Sequence, residues 1–252
     1  ASLLEKADEG VYLLAVDWDL RFSKAHQLKG GAKEALLKEK KEEKDYQVLD
    51  EMPFYFNGAG YVNKHRDALF LYEESSGKLT RVTKEAFSTG SAHLSPDGKQ
   101  VLFTGQSYTV KRKNKSGVYV YDRETGRTTE LLKPRAYDLY DALWWGEKVL
   151  LLATDGKRYG LNENAQFYTL NPASGEVALL APYEDALGSS VGSDCRLGGG
   201  REWVQEGDKL YFVTTLGGAS QVYCLEEAGE IRPVYTQAGS VDCIEAAEGS
   251  LY

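Results

Sequence analysis

The chain has 252 residues, 42% of them hydrophobic and 12% aromatic, with 17 tyrosines and a formal net charge of −8. That length supplies a sizeable core, arranged as one large all-β domain or as two smaller ones. The acidic balance argues against nucleic acid as a partner, because phosphates require clustered Lys and Arg, and no apolar run approaches the roughly 20 residues that span a bilayer.

The start, Ala1-Ser2-Leu3-Leu4-Glu5-Lys6, lacks the basic and apolar regions of a secretory signal. Val11-Tyr12-Leu13-Leu14-Ala15-Val16 reads as a strand. Residues 24–45 then interrupt the β pattern. After Gly30-Gly31 the composition turns to Ala, Leu, Lys and Glu, with Glu and Lys at helical spacing. This charged insertion is expected to be a solvated helix lying between strands.

From residue 70 onward the chain repeats itself. Residues 70–77, 119–126, 168–175 and 222–229 each read as a strand followed by a short acidic or polar turn that ends in glycine. The glycines lie 49, 49 and 54 residues apart (77 to 126 to 175 to 229). Large or apolar residues sit seven and five positions before each one: Phe70 and Tyr72, Tyr119 and Tyr121, Tyr168 and Leu170, Val222 and Cys224. That period of two marks a strand with one buried face, and the glycine supplies the positive φ of a tight hairpin. A second phrase recurs out of phase. Ser95-Pro96-Asp97-Gly98-Lys99 feeds the strand 101–104, Trp145-Gly146-Glu147-Lys148 feeds 149–152, and Glu206-Gly207-Asp208-Lys209 feeds 210–213. Glu248-Gly249-Ser250-Leu251-Tyr252 begins the same phrase again.

Four antiparallel strands every fifty or so residues describe a propeller blade; a β-sandwich has no such fixed phrase. The expected fold is therefore an all-β propeller of four-stranded antiparallel blades, with blades near 46–86, 87–132, 136–181 and 186–236 and a partial one at 238–252.

Catalytic patterns fare less well. Gly188-Ser189-Ser190-Val191-Gly192 matches Gly-x-Ser-x-Gly, but such an elbow needs a helix after it and a histidine later in the chain. The next residues, Ser193-Asp194-Cys195-Arg196-Leu197-Gly198-Gly199-Gly200, do not favour a helix, and the three histidines, His26, His65 and His93, all come earlier. A serine without a base is a weak nucleophile. None of the histidines pairs with a cysteine or carboxylate at a metal-ligand spacing, and His65 is expected in an exposed loop. Gly198-Gly199-Gly200 lacks the Lys-Ser/Thr of a phosphate loop. Glu73-Glu74 and Glu226-Glu227 fall in hairpin turns, where solvated charge is ordinary. A sugar- or lactone-processing propeller would need convergent carboxylates or a metal, and no such set stands out. Cys195, Cys224 and Cys243 are odd in number and read as buried free thiols of a reducing compartment, hence a cytoplasmic chain.

Specific phrases carry a resemblance. Met52-Pro53-Phe54-Tyr55-Phe56-Asn57-Gly58-Ala59-Gly60-Tyr61, followed by Ala68-Leu69-Phe70-Leu71-Tyr72, resembles a stretch in the propeller of prolyl-oligopeptidase-family serine peptidases, in their acylaminoacyl-peptidase-like branch. A Lys/Glu-rich insertion precedes this phrase there as well, as Lys38 to Lys44 does here. Gly192-Ser193-Asp194 leading to Trp203, then Gly207-Asp208-Lys209-Leu210-Tyr211-Phe212, resembles a later blade of the same branch. The resemblance runs from about residue 46 to the end. It implies an incomplete part of a seven-bladed ring that precedes an α/β-hydrolase domain carrying a Ser-Asp-His triad and admits only short or unstructured peptides. No triad position has a counterpart in this chain, so no catalytic, cofactor-binding or metal residue carries over.

The expected role is a non-catalytic, substrate-gating propeller of a serine-type oligopeptidase, with a stand-alone protein-interaction scaffold as the alternative. The expected partners are the α/β-hydrolase domain of the same polypeptide and short peptides, with neither nucleic acid nor membrane. An open run of blades also exposes strand edges. A second copy is expected to cover them, or else the strand at Val11–Val16 closes a smaller ring with the C-terminal strand.

Overall fold

The computed structural model describes residues 1–8, 10–42, 46, 48–191 and 200–252. The chain divides into two compact units, Ala1–Arg135 and Ala136–Tyr252.

The first unit begins with a hairpin of β1 (Ser2–Asp8) and β2 (Val11–Asp19). A helix, α1 (Gly30–Glu42), follows where the charged insertion was expected, and none of its residues is buried. A small hairpin of β3 (Tyr55–Phe56) and β4 (Gly60–Tyr61) comes next, then β5 (His65–Glu73) and β6 (Lys78–Arg81). These strands assemble as a four-stranded antiparallel sheet in the order β1-β2-β5-β6. Residues 46–86 therefore supply two of its strands, and the other two come from residues 2–19, ahead of the insertion.

Strand β2 pairs with β5 over nine residues, from Val11↔Glu73 to Asp19↔His65, and with β1 on its other edge. Both edges of Val11–Val16 are thus occupied within this sheet, by β1 and β5, so this strand is not free to pair with the C-terminal strand. The matching apolar periods of β2 and β5 decide the register: Leu13 faces Leu71, and one face of the pair becomes core.

The second sheet of this unit runs β10-β9-β8-β7 from β7 (Phe87–Leu94), β8 (Gln100–Ser107), β9 (Gly117–Asp122) and β10 (Arg127–Leu132). Leu13, Leu69, Val82, Phe87, Val101, Phe103 and Tyr121 form one cluster. Within it the rings of Phe87, Phe103 and Tyr119 lie 5.2 to 5.5 Å apart, a spacing that favours aromatic contact beyond area burial.

The second unit contains β11 (Asp138–Trp145), β12 (Lys148–Thr154), β13 (Gln166–Leu170) and β14 (Val177–Ala181), paired in sequence order. β12 is apolar along its whole middle, and Val149 to Ala153 are all fully buried. An uninterrupted apolar run of this kind belongs to a strand covered on both faces. A further sheet follows: β15 (Ala186–Leu187) and β16 (Trp203–Glu206) both pair with β17 (Lys209–Leu216), which continues to β18 (Ala219–Glu226) and β19 (Ile231–Tyr235). Phe167, Tyr183, Phe212, Leu150, Leu210 and Leu225 share the core of this unit. A short hairpin, β20 (Ala246–Ala247) and β21 (Ser250–Leu251), ends the chain.

The repeated turn phrase has a direct physical basis. Asp122 accepts hydrogen bonds from the amide (2.7 Å) and hydroxyl (2.8 Å) of Thr125, and Asn171 accepts from the amides of Ala173 and Ser174. Gly126 (φ 67°) and Gly175 (φ 72°) complete these turns in the left-handed region that glycine tolerates. Among the described residues, no helix is long and apolar enough to cross a membrane.

Candidate functional site

The Gly-x-Ser-x-Gly match forms no elbow among the described residues; Gly192 and the seven residues after it lie outside them. Ser189 donates its amide to Glu202 (2.9 Å), and its hydroxyl lies 2.9 Å from that of Ser220. The Ser190 amide is bonded to Thr215 (2.8 Å). Gly188 sits at φ 87°, in the left-handed region that glycine tolerates, which accounts for that glycine. These contacts fasten the segment to β17 and β18. All three histidines lie in the first unit, so no imidazole of the second unit faces either serine.

Cys224 is buried, and burial pushes its thiol above the ordinary range, but Cys243 is exposed, contrary to the expectation of buried thiols; Cys195 lies outside the described residues. His65 is likewise not in a loop. It opens β5 with its ring 2.8 Å from Asp17. The turn carboxylates are solvated or locally paired, Glu226 with Arg232 at 2.7 Å.

The most elaborate polar construction is elsewhere, in the first unit. Arg66, the second residue of β5, has a fully buried guanidinium that grips both oxygens of Glu51 (2.7 and 3.1 Å). Its remaining hydrogens go to the carbonyls of Ala86, His65 and Tyr108 (3.2, 2.7 and 2.9 Å), and its plane lies 3.7 Å from the centroid of the Tyr108 ring. All five N–H groups are thereby used. That completeness lets a charge sit in the core.

Neighbouring residues lock the same junction. Buried Asn63 accepts the amides of Asp50 and Glu51 and donates to the Val48 carbonyl (2.8 Å). Lys64, in the left-handed region at φ 63°, donates its amide to Glu51 and reaches Asp50 with its ammonium (2.9 Å).

The loop between β8 and β9 is fastened to this junction. Met52 exchanges both backbone hydrogen bonds with it, to Val110 and from Arg112, each 2.8 Å. Gln106 holds the loop from the other side, donating to the carbonyls of Lys113 and Lys115 and accepting the Lys113 amide. Two segments with no regular sheet pairing to each other thus become one fixed platform.

What the platform displays is unusual for an exposed surface. Met52, Phe54, Tyr55, Phe56 and Tyr61 are between 37% and 53% exposed, and the Tyr55 and Tyr61 rings meet edge to face at 5.6 Å. Beside them run Lys111-Arg112-Lys113-Asn114-Lys115, four basic residues in five on a chain of net charge −8. Among the described residues no carboxylate pairs with the side chains of Lys111, Arg112 or Lys113. Residues 106–111, Lys113 and Pro134 line an open pocket of about 330 Å³.

The electrostatics keep the anchors charged. Burial pushes the Glu51 carboxyl upward, but Arg66 and the Lys64 amide outweigh it and hold the group below the ordinary carboxylate value. Lys64 and Asp50 stabilise each other's charged forms, the ammonium shifted up and the carboxyl down. Burial raises the Tyr108 phenol, against the opposing charge of Arg66. The site offers cations, aromatic faces and a pocket. It is suited to recognition. Nothing in the phrase at 52–61 signals its exposure, because the apolar composition suits a buried strand equally well, and the basic run at 111–115 is hidden within a total charge of −8.

Successive four-stranded antiparallel sheets joined by short turns define the class of the protein: it is a β-propeller. No family model matches the sequence, and no curated protein matches it either. The likeness is to solved structures. Acylaminoacyl peptidase from Pyrococcus horikoshii aligns with 98% of this chain and 34% of its own, at a TM-score of 0.64 and 14% identity. Acylaminoacyl peptidase in complex with Z-Gly-Gly-Phe-chloromethyl ketone aligns with 98% of this chain and 33% of its own, at a TM-score of 0.63 and 14% identity. Puromycin hydrolase aligns with 73% of this chain and 28% of its own, at a TM-score of 0.52 and 16% identity. The matches fall on the propeller part of these larger proteins, and the chain spans about a third of the length of the acylaminoacyl peptidases. At such identities the shared property is the fold.

Proposed function

We propose that this chain is the non-catalytic propeller of a cytoplasmic serine peptidase of the prolyl oligopeptidase family, in its acylaminoacyl-peptidase-like branch. In this reading it gates peptide access to an α/β-hydrolase domain of the same polypeptide. The observation that carries the reading is the likeness to acylaminoacyl peptidase along 98% of this chain and only 34% of that one. The phrases at 52–61 and 207–212 support the same branch. Ser189 and Ser190 lend no support to a Ser-His-Asp arrangement, because His26, His65 and His93 all precede them in the sequence and lie in the first unit.

Gating of this kind is mechanical. Hydrogen-bonded blades resist deformation, so a folded substrate is excluded by size, while a short peptide enters without an ordering cost to the protein. The test has two arms. The complete reading frame is expected to continue into a Gly-x-Ser-x-Gly elbow with a late histidine. Its product is expected to hydrolyse acyl-alanine and short-peptide chromogenic substrates, and the 252-residue chain alone to be inert. A reading frame that stops after Tyr252 overturns the proposal and favours the scaffold reading, for which the exposed platform is the relevant feature.

A further inference from the structure

We propose that the aromatic strap at residues 52–61 and the basic loop at 108–115 form one docking surface for an acidic polypeptide segment carrying apolar side chains. The inference stands on this chain's own surface, whether or not a catalytic domain accompanies it.

Three observations carry it. The first is pre-organisation: Met52 is bonded through both its amide and its carbonyl to the basic loop, and Gln106 and Arg66 fix the two ends of that loop. A surface held in this way pays little ordering entropy on binding. The second is composition. Exposed Phe54, Tyr55, Phe56 and Tyr61 are residue types enriched at the cores of protein interfaces, and Arg112 adds another. The third is charge complementarity. Lys111, Arg112 and Lys113 have no carboxylate partner among the described residues, while the nearest anchoring carboxylates are already neutralised, Asp50 by Lys64 and Glu51 by Arg66. An incoming acidic group therefore meets unopposed positive charge. The open pocket of about 330 Å³ lined by Lys111, Lys113 and Pro134 gives one of its side chains a recess.

Other occupants fit less well. A second copy brings its own net charge of −8 to the encounter. A nucleic-acid strand carries its charge well beyond one loop, onto the acidic remainder of the molecule. A short extended peptide confines both its charge and its apolar groups to the platform.

The probe is a labelled peptide alternating glutamate with leucine and phenylalanine, followed by fluorescence anisotropy with the 252-residue chain. Saturable binding is expected, weakening with added salt. It should fall about tenfold or more in a Lys111→Glu, Lys113→Glu double variant and in a Tyr55→Ser, Phe56→Ser double variant, with urea midpoints unchanged. The altered side chains are exposed, so folding is expected to survive, and a midpoint shift would identify a variant to be replaced by Lys111→Gln or Tyr55→Thr. The proposal is overturned by absence of binding, by equal binding of a lysine-substituted peptide, or by tighter binding of oligothymidylate. A dimer in sedimentation velocity that the lysine variant disperses also overturns it, in favour of a second copy.

Discussion

At the residue scale the dominant feature is Arg66 with Glu51. Neither side chain exceeds 1% exposure, and the guanidinium spends every hydrogen within the protein. Removing one partner leaves the other charge buried and unpaired, so Glu51→Gln is expected to cost about 3 kcal/mol or more in urea unfolding. The pair also makes stability depend on acid. The Glu51 carboxyl is held below its ordinary value of 4.5 in the folded chain, so its contribution is fully present above pH 4.5 and is lost as pH falls through the lower folded value. Unfolding free energy measured from pH 5 downward is therefore expected to drop more steeply for the unaltered protein than for Glu51→Gln. Arg66 was not legible as special in the sequence, where it stands among Lys64, His65 and Asp67. Its role depends on Ala86 and Tyr108, brought near by the sheet.

At the element scale, the turn phrase and the strand interior place different demands on glycine. At Gly126 an added Cβ has room, with the nearest atom 3.8 Å away, and only the left-handed φ opposes it. At Gly105, on β8, a Cβ would meet the Phe87 ring at 2.6 Å as well as the backbone of Ser88. Gly126→Ala is thus expected to cost roughly 1 kcal/mol, from φ strain alone, and Gly105→Ala about 3 kcal/mol, because a packed ring must also move. Thermal unfolding of the two variants side by side checks the order. In the second unit, Phe212 touches Phe167, Tyr183 and Tyr223 at centroid distances of 5.1 to 6.2 Å. Phe212→Ala is expected to cost about 3 to 5 kcal/mol, read from the denaturant midpoint. Gly126 announced itself through the repeat; Gly105 did not, because nothing in Thr104-Gly105-Gln106 foretells a ring from a neighbouring strand.

At the scale of the whole molecule, the likeness is to about a third of a larger enzyme. On the proposed reading, a gene product that continues into a hydrolase domain turns over acyl-alanine substrates, and the 252-residue chain leaves them intact over the same period in a chromogenic assay. The N-terminal hairpin of the first sheet reaches past an intervening segment of more than forty residues, which holds both α1 and the β3–β4 hairpin, to pair with β5. The cost of closing such a loop rises only slowly with its length, so a long insertion between paired strands is thermodynamically cheap.

The sequence by itself determined the all-β class, the four-strand phrase and the lack of a histidine between Ser190 and Tyr252, because these depend on period, turn chemistry and residue inventory, all of which are local. It also carried the helix at Gly30–Glu42, whose composition needs no partner. Only the tertiary structure decided that Val11–Asp19 belongs to the first sheet and that His65 sits on a strand. The same holds for the platform: Met52, Gln106 and Arg66 join the basic loop to an exposed aromatic strap. Each of those outcomes rests on contacts between residues far apart in the chain, set by sheet pairing and by the need to satisfy a buried charge, and neither has a period to read.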